Sequence, residues 1–145
     1  MKKLASGLLA LTLVLGISTS AFAAVYPDNE PNNSYKTANP FYPAHGNQIN
    51  GTLGSKINGV TDSQDYFTFT ATANQKLRFQ LAYSKAGGQD FRLEFLNGDA
   101  TTPTKDYIDV DVVAGKTYYF SVAVFTYNYD YNNGNYSVYS YVLPN

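Results

Sequence analysis

The stretch Asp62-Ser63-Gln64-Asp65-Tyr66-Phe67-Thr68-Phe69 shows how the chain is built. Two carboxylates stand three residues apart, and an alternation of side chains follows in which Phe67 and Phe69 flank Thr68. A period of two residues is typical of a β-strand that buries one face and exposes the other. The stretch therefore predicts a half-buried strand with two acidic residues at its start.

The same alternation recurs along the rest of the chain, in residues 77–83, 91–95, 108–112, 118–124 and 136–138. Residues that tolerate the backbone of tight turns separate the runs: Asn50-Gly51, Asn58-Gly59, Gly87-Gly88, Asn97-Gly98, Ala114-Gly115 and Asn133-Gly134. No segment shows a long helical period. Seven or eight short strands in one domain predict an all-β fold, an antiparallel β-sandwich of the jelly-roll type.

The N-terminal residues have the organisation of an export signal. Lys2 and Lys3 precede an apolar stretch at 8–17, and Ala21-Phe22-Ala23 fits a small-x-small cleavage site. This pattern predicts a signal peptide over 1–23 and a secreted chain, free outside the cell or associated with the cell wall. No later stretch approaches the length of apolar residues needed to span a membrane.

The predicted mature chain divides into an extended arm over 24–45, rich in Pro and Asn, and a β-sandwich domain over 46–145. Loss of Lys2 and Lys3 from the 10 basic side chains leaves 8 against 11 acidic ones, a net charge of -3. A weakly acidic chain is a poor partner for nucleic acid. The chain has no cysteine, so no disulfide can staple it. A metal that binds only the folded state could stabilise it instead.

Oxygen-bearing side chains cluster in two places about thirty residues apart. The first place is the arm, Asp28-Asn29-Glu30-Pro31-Asn32-Asn33-Ser34, and the second contains Asp62 and Asp65. Alternate residues of an extended arm point the same way, and a hard cation such as Ca²⁺ takes six to eight oxygen ligands. The clusters predict a cation site between arm and sandwich. The alternatives are solvated turn residues or the N-terminal cap of a helix.

Taken in order, several motifs resemble those of one family. They are Glu30-Pro31-Asn32-Asn33-Ser34, Ile49-Asn50-Gly51-Thr52-Leu53, Asp62-x-x-Asp65-Tyr66-Phe67-Thr68-Phe69, Ala114-Gly115-Lys116-Thr117-Tyr118-Tyr119-Phe120-Ser121-Val122 and Gly134-Asn135-Tyr136-Ser137-Val138. The chain is similar over 28–142 to the bacterial pre-peptidase C-terminal domain, and through it to the collagen-binding domains of clostridial collagenases.

The resemblance implies a noncatalytic jelly roll stabilised by one or two Ca²⁺ ions. The ligands that it implies are Asp28, Glu30, Asn32 and Asn33 from the arm, and Asp62 and Asp65 from the loop before the strand.

Catalytic chemistry finds little support in the sequence. His45 is the single histidine and lies in a Pro-rich turn, and the chain has neither a cysteine nucleophile nor a Gly-x-Ser-x-Gly motif. Zinc sites need several His or Cys ligands. Glu30 and Glu94 are the only glutamates, which argues against a paired-carboxylate glycosidase. We therefore expect a protein that is not an enzyme.

The C-terminal third is rich in aromatic residues. By the parity of the alternation we expect an outward face made of Tyr119, Phe125, Tyr127, Tyr129, Tyr139 and Tyr141. An exposed aromatic patch is typical of a contact surface, and Tyr combines an apolar ring with a hydroxyl. The alternative is that these rings cover a small core.

These observations predict a secreted, noncatalytic, calcium-stabilised binding module. Its expected partner is an extracellular protein or polysaccharide, such as collagen-like or cell-surface material. Two alternatives stay open: a separate partner of a secreted peptidase that acts in its folding, targeting or inhibition, and a matrix protein that associates with itself.

Overall fold

A computed structural model describes residues 23–144 except 55, 58–59, 86–88 and 126–133. The body of the predicted signal peptide, 1–22, lies outside the described residues. Within the described part, no helix has the length and apolar character that crossing a membrane requires.

Eleven strands form the described part of the chain. They are β1 (Val25–Pro27), β2 (Asn39–Pro40), β3 (Gln48–Thr52), β4 (Lys56–Ile57), β5 (Val60–Thr61), β6 (Gln64–Thr70), β7 (Gln75–Tyr83), β8 (Phe91–Phe95), β9 (Tyr107–Val112), β10 (Thr117–Val124) and β11 (Asn135–Leu143).

The strands form two packed sheets and a small hairpin. One sheet has five strands in the order β1-β3-β11-β7-β9, and the other has four in the order β2-β6-β10-β8. Strands β4 and β5 pair with each other. The predicted all-β sandwich is confirmed. Two pairings differ from a purely antiparallel sandwich, because the short strands β1 and β2 run parallel to β3 and β6.

The core between the sheets comes from the inward half of each alternation. In β6 the side chains of Phe67 and Phe69 are buried, whereas the alternating residues Tyr66 and Thr68 are only partly covered. Phe120 of β10 stacks on Phe67 with ring centroids 5.5 Å apart. Burial of apolar surface stabilises such a sandwich by about 25 cal/mol for each Å² removed from water, and it is the main stabilising contribution.

The predicted arm is part of the sandwich. Strand β1 joins the five-stranded sheet and β2 joins the four-stranded sheet, so residues 28–38 cross from one sheet to the other. Phe41, just after β2, is 1% exposed and its ring contacts Phe79 and Phe120. The crossing places the acidic residues of the arm at the end of the sandwich where β6 begins.

Candidate metal centre

The crossing segment of the arm meets the start of β6 at a cluster of carboxylates. Asp28 follows β1 directly, and its N–H donates to the carbonyl of Asn50 in β3 at 3.0 Å. Asp65 is the second residue of β6. One carboxylate oxygen each from Asp28, Glu30 and Asp65 lie within 4.8 Å of one another. Residues that are more than thirty positions apart in sequence thus share one site.

The remaining residues predicted as metal ligands surround these three. The backbone carbonyl of Asn32 accepts a hydrogen bond from the N–H of Tyr66, which fixes the arm against β6. Asp62 lies between β5 and β6, and Asn33 donates its side-chain N–H to Asp62 Oδ1 at 2.7 Å. All six residues that the sequence predicted as ligands therefore lie in one region of the molecule.

Several oxygens of this cluster are buried without a partner. Asn32, Asp62 and Asp65 are each 0% exposed. Among the described residues, Asn32 Oδ1, Asp62 Oδ2 and Asp65 Oδ1 have no hydrogen-bond donor. A buried polar atom with no partner costs about 1–3 kcal/mol, and more when it is charged. Three such acceptors lie together in one acidic cluster.

The other polar atoms of these side chains are held in place. Asp28 accepts from the Asn32 side-chain amide, and Glu30 Oε2 accepts from the backbone N–H of Asn32 at 3.0 Å. In this arrangement Asn33 presents its N–H₂ group to Asp62, so it orients a carboxylate instead of offering an oxygen. The bonds orient the cluster and leave the unpartnered oxygens available.

The carboxyl groups of the cluster are harder to ionise than free carboxyl groups. Burial, together with the charges of Asp28, Asp62 and Glu30, raises the pKa of Asp65 to about 9 despite its hydrogen bond from Tyr136. Burial and the neighbouring Glu30 raise the pKa of Asp62 to about 7. The pKa of Asp28 is also raised, by burial first and by Glu30 second. Desolvation and like charges both disfavour the ionised form. Ionising the whole cluster near neutral pH therefore requires a compensating cation.

Tyr136 of β11 supports the cluster, a role that no motif of the sequence predicted. Its hydroxyl donates to Asp65 Oδ2 at 2.6 Å, and the side chain is 3% exposed. Burial, followed by the charge of Asp65, raises the pKa of Tyr136 well above its usual value, so it remains a donor. The alternation in β11 predicts that Tyr136 faces inward, but no sequence signal connects it to Asp65.

Gly51 makes room for this ring. A Cβ atom at position 51 would lie 2.3 Å from both Cζ and Oη of Tyr136. The Asn50-Gly51 pair that the sequence identified as a turn signal lies inside β3, where the missing side chain lets Tyr136 reach Asp65.

The change Tyr136→Phe is expected to destabilise the protein by about 1–3 kcal/mol, because it leaves Asp65 buried without its donor. Urea denaturation followed by circular dichroism measures the effect, with an unchanged m-value showing that only stability has altered. Tyr139→Phe is the matched control, since Tyr139 lies half-buried on the outer face of β11. A cost for Tyr136→Phe no larger than that of the control would contradict the role of this hydrogen bond.

The chemistry of the donors decides which ion the cluster suits. Its side chains offer carboxylate and amide oxygens, the ligands of Ca²⁺ and Mg²⁺. The single histidine, His45, packs its ring against Tyr141 at 5.6 Å instead of joining the cluster. Zinc and the softer metals prefer nitrogen and sulfur ligands. The cluster therefore fits a hard divalent cation.

The predicted aromatic face is divided between the two sheets. Tyr119 belongs to β10 and Phe125 follows that strand, so both lie on the four-stranded sheet. Tyr139 and Tyr141 belong to β11 in the five-stranded sheet. Tyr127 and Tyr129 lie outside the described residues. The four described residues therefore do not form the single face that the sequence predicted. Alternation distinguishes the inner from the outer side of a strand, but it does not tell which sheet the strand joins.

The residues on the four-stranded sheet have close neighbours. The ring of Tyr119 meets that of Tyr35 from the arm edge to face, with centroids 6.5 Å apart. Phe125 is 52% exposed, and the guanidinium of Arg92 lies 5.4 Å from its ring centroid. These contacts tie Tyr119 to the arm, so it is only partly available as a ligand surface.

The fold and the site together define the class of the protein. It is a cysteine-free β-sandwich whose N-terminal segment crosses one end of the two sheets and meets β6 at an oxygen-rich cluster. No protein-family model matches the sequence, and no curated protein matches it at a significant level.

Comparison with solved structures gives matches of low identity. The pre-peptidase C-terminal domain of a collagenase from Bacillus anthracis is 16% identical, with a TM-score of 0.47 over 71% of this chain and 93% of that domain. PliG of Aeromonas hydrophila, a periplasmic inhibitor of g-type lysozyme, is 13% identical, with a TM-score of 0.46 over 83% of this chain and 97% of that protein. The first match is a domain of the kind that the sequence motifs resemble. Likenesses at these identities and TM-scores carry no argument about function.

Proposed function

We propose that this chain is a secreted, noncatalytic binding module whose arm is fastened to the sandwich by calcium. The observation that carries the proposal is the set of three buried oxygens without donors, Asn32 Oδ1, Asp62 Oδ2 and Asp65 Oδ1, inside one acidic cluster. A divalent cation would satisfy these oxygens and offset the charge repulsion of the cluster. The proposed ligands are the side chains of Asp28, Glu30, Asn32, Asp62 and Asp65, with room for one ion or two.

Calcium is preferred over magnesium on the nature of the donors. Magnesium demands a near-ideal octahedron at about 2.0–2.1 Å and usually keeps several waters, whereas calcium accepts irregular sets of six to eight oxygens. A cluster assembled from an irregular arm segment and a strand start, rich in carboxylates and largely buried, favours calcium. Exported proteins also meet calcium at the concentrations that weak extracellular sites need.

The noncatalytic part of the proposal rests on the separation of the chemical groups. Gly46, next to His45, donates its N–H to the carbonyl of Ser140, near the C-terminal end of β11. Tyr136, which contacts the acidic cluster, lies at the other end of the same strand. General acid–base catalysis needs such groups within hydrogen-bond reach of one reacting atom. The acidic cluster and the histidine are too far apart to cooperate.

Thermal unfolding in chelator and in calcium tests the proposal. We expect the melting temperature in millimolar CaCl₂ to exceed that in EDTA, because a ligand at a hundred times its Kd stabilises the folded state by about 2.7 kcal/mol. For a domain of this size that corresponds to roughly 10 °C. The chain has no tryptophan, so calorimetry or circular dichroism is the suitable probe.

Asp111→Asn provides a control that removes a carboxylate elsewhere. Asp111 lies on β9 and makes only a surface ion pair with Lys76 at 3.8 Å, which contributes little. Its response to calcium should equal that of the wild type. Identical melting of the wild type in EDTA and in calcium would refute the calcium site.

A further inference from the structure

The outer face of the five-stranded sheet has a groove that the cation cluster does not use. The groove has a volume of about 640 Å³ and lies over β3, β11 and the end of β7. Ligand sites commonly fall between about 300 and 1,000 Å³. Ala82, a small exposed residue of β7, and the backbone of Gly51 line it. The side chains around them are polar and mostly exposed: Asn50, Thr52, Asn135 and Ser137.

Hydrogen bonds among these side chains fix the polar groups of the groove. The hydroxyl of Ser137 donates to Asn50 Oδ1 at 2.8 Å, and the side chain of Gln48 donates to the same oxygen at 2.9 Å. The hydroxyl of Thr52 donates to Asn135 Oδ1 at 3.0 Å. Because the Asn50 oxygen is used internally, its N–H₂ group is left to donate outward, while the hydroxyl oxygens of Ser137 and Thr52 can still accept. The groove thus offers donors and acceptors side by side.

Charged groups of both signs lie beside the groove. None of the groove's polar side chains is ionisable apart from the tyrosines. Farther along the face, Arg78 makes two hydrogen bonds to Asp109, at 2.7 and 2.8 Å, and Lys76 faces Asp111. Lys105 lies over the ring of Tyr107, and the neighbouring Asp106 accepts a hydrogen bond from Gln80. Neither sign of charge is therefore in clear excess to attract a polyanion or an acidic peptide. The face suits a partner that is itself neutral.

Two tyrosines continue the face along β11 from the groove. Tyr139 and Tyr141 are half-buried and follow Ser137 on the same side of the strand. Residues two apart on a strand are separated by roughly 6.6–6.8 Å. Each ring offers an apolar surface with a hydroxyl at its tip. A sugar chain has hydroxyl groups at its edges and apolar faces on its rings. The amides and hydroxyls of the groove can hydrogen-bond the hydroxyl groups, and the aromatic rings beside it can stack on the apolar faces.

We propose that this face binds a neutral polysaccharide. The Asn50 amide and the Ser137 and Thr52 hydroxyls would hydrogen-bond sugar hydroxyls, which both donate and accept, while Tyr139 and Tyr141 stack on the apolar faces of sugar rings. A protein partner fits less well, since protein interfaces centre on apolar and aromatic anchors in desolvated pockets. The inference rests on the proposed function, because the arm holds the Asn50 carbonyl through the N–H of Asp28.

Retention of the mature chain on defined polymers in calcium tests the inference. The neutral probes are insoluble cellulose and chitin and the soluble glucan laminarin; polygalacturonic acid is the polyanion and gelatin the protein. We expect retention on at least one neutral glycan that persists in 0.5 M NaCl. Tyr139→Ala should weaken it about five- to ten-fold, the worth of an aromatic contact. Ser137→Ala is a smaller change that should also weaken it.

Tyr119→Ala is the matched control, because it removes an outward tyrosine from the opposite sheet. Its retention should equal that of the wild type. Each of three results would overturn the inference: no retention on any neutral glycan, preference for gelatin or for the polyanion, or equal losses in the Tyr139 and Tyr119 variants. The melting experiment in EDTA and calcium tests the proposed function independently of glycan binding. Failure of calcium to raise the melting temperature would refute the calcium module, whereas glycan retention is judged by these variants alone.

Discussion

The change Asp65→Asn is expected to raise stability in chelator and to remove most of the response to calcium. In EDTA at pH 7 to 8 the variant should melt higher than the wild type by roughly 10 °C or more. The wild-type carboxyl has a pKa of about 9 in the folded state against about 4 when unfolded, which costs about 1.4 kcal/mol for each pH unit above 4. An amide has no charge to suppress and can still accept from Tyr136.

In calcium the variant's advantage over the wild type should narrow, because only the wild type gains stability from the metal. The substitution removes a carboxylate from the group of three whose oxygens lie within 4.8 Å of one another, so the increase in melting temperature with calcium should shrink sharply or vanish. Calorimetry of both proteins in both solutions gives the four values required. Asp111→Asn serves again as the control, with an unchanged difference between EDTA and calcium. A variant that is less stable in EDTA yet still stabilised by calcium would exclude Asp65 as a ligand.

Calcium is also expected to remove the pH dependence of stability that the carboxyls of the cluster cause. Without metal, Asp62 and Asp65 have folded-state pKa values of about 7 and about 9, far above the unfolded value of about 4. Between these limits the folded chain holds more protons than the unfolded chain. The stability from these groups is therefore complete below pH 4 and is lost as the pH rises toward 9.

With calcium the carboxyls must ionise to bind, so binding releases protons and strengthens as the pH rises. Stability should then change little from pH 5 to pH 8 in saturating calcium, because the metal-bound and the unfolded chains both hold these carboxyls ionised. In EDTA it should fall over the same interval, by about 1.4 kcal/mol per pH unit for each of the two groups while the pH is below its folded-state pKa. Melting curves at four pH values in both solutions are sufficient. Parallel slopes in the two solutions would show that the cluster does not exchange its protons for the metal. Asp65→Asn should reduce the slope in EDTA.

The strands could be predicted because burial acts on neighbouring residues. In β6, β7 and β8 each apolar residue of the alternation is buried, as at Phe67, Phe79 and Leu93. Asp62 and Asp65 could also be predicted as part of a cation site, because their carboxylates and the oxygen-bearing side chains of the arm are the ligands that a hard cation prefers. The pairing partner of each strand could not be predicted, because it depends on contacts between residues that are distant in the sequence.

Two features show that limit. Tyr119 and Tyr139 have the same outward parity, yet their strands lie in opposite sheets. Tyr136 and Asp65 are 71 positions apart, and their hydrogen bond exists only because β11 pairs with β3 across Gly51. Parity assigns a residue to a side of its own strand, whereas the partner on that side is set by the topology. The arm gave a similar result: its extended form could be predicted, but not its division between the two sheets.

The directions of β1 and β11 have a practical consequence for handling this protein. Strand β1 runs parallel to β3 and β11 runs antiparallel to it, so residue 24 and residue 143 emerge at the same pole of the sandwich. The acidic cluster occupies the opposite pole, where β1 ends and β11 begins. A linker, dye or solid support attached next to residue 24 or residue 143 would therefore stand clear of the cluster. Such a handle would leave metal exchange unobstructed while the module is held on a surface.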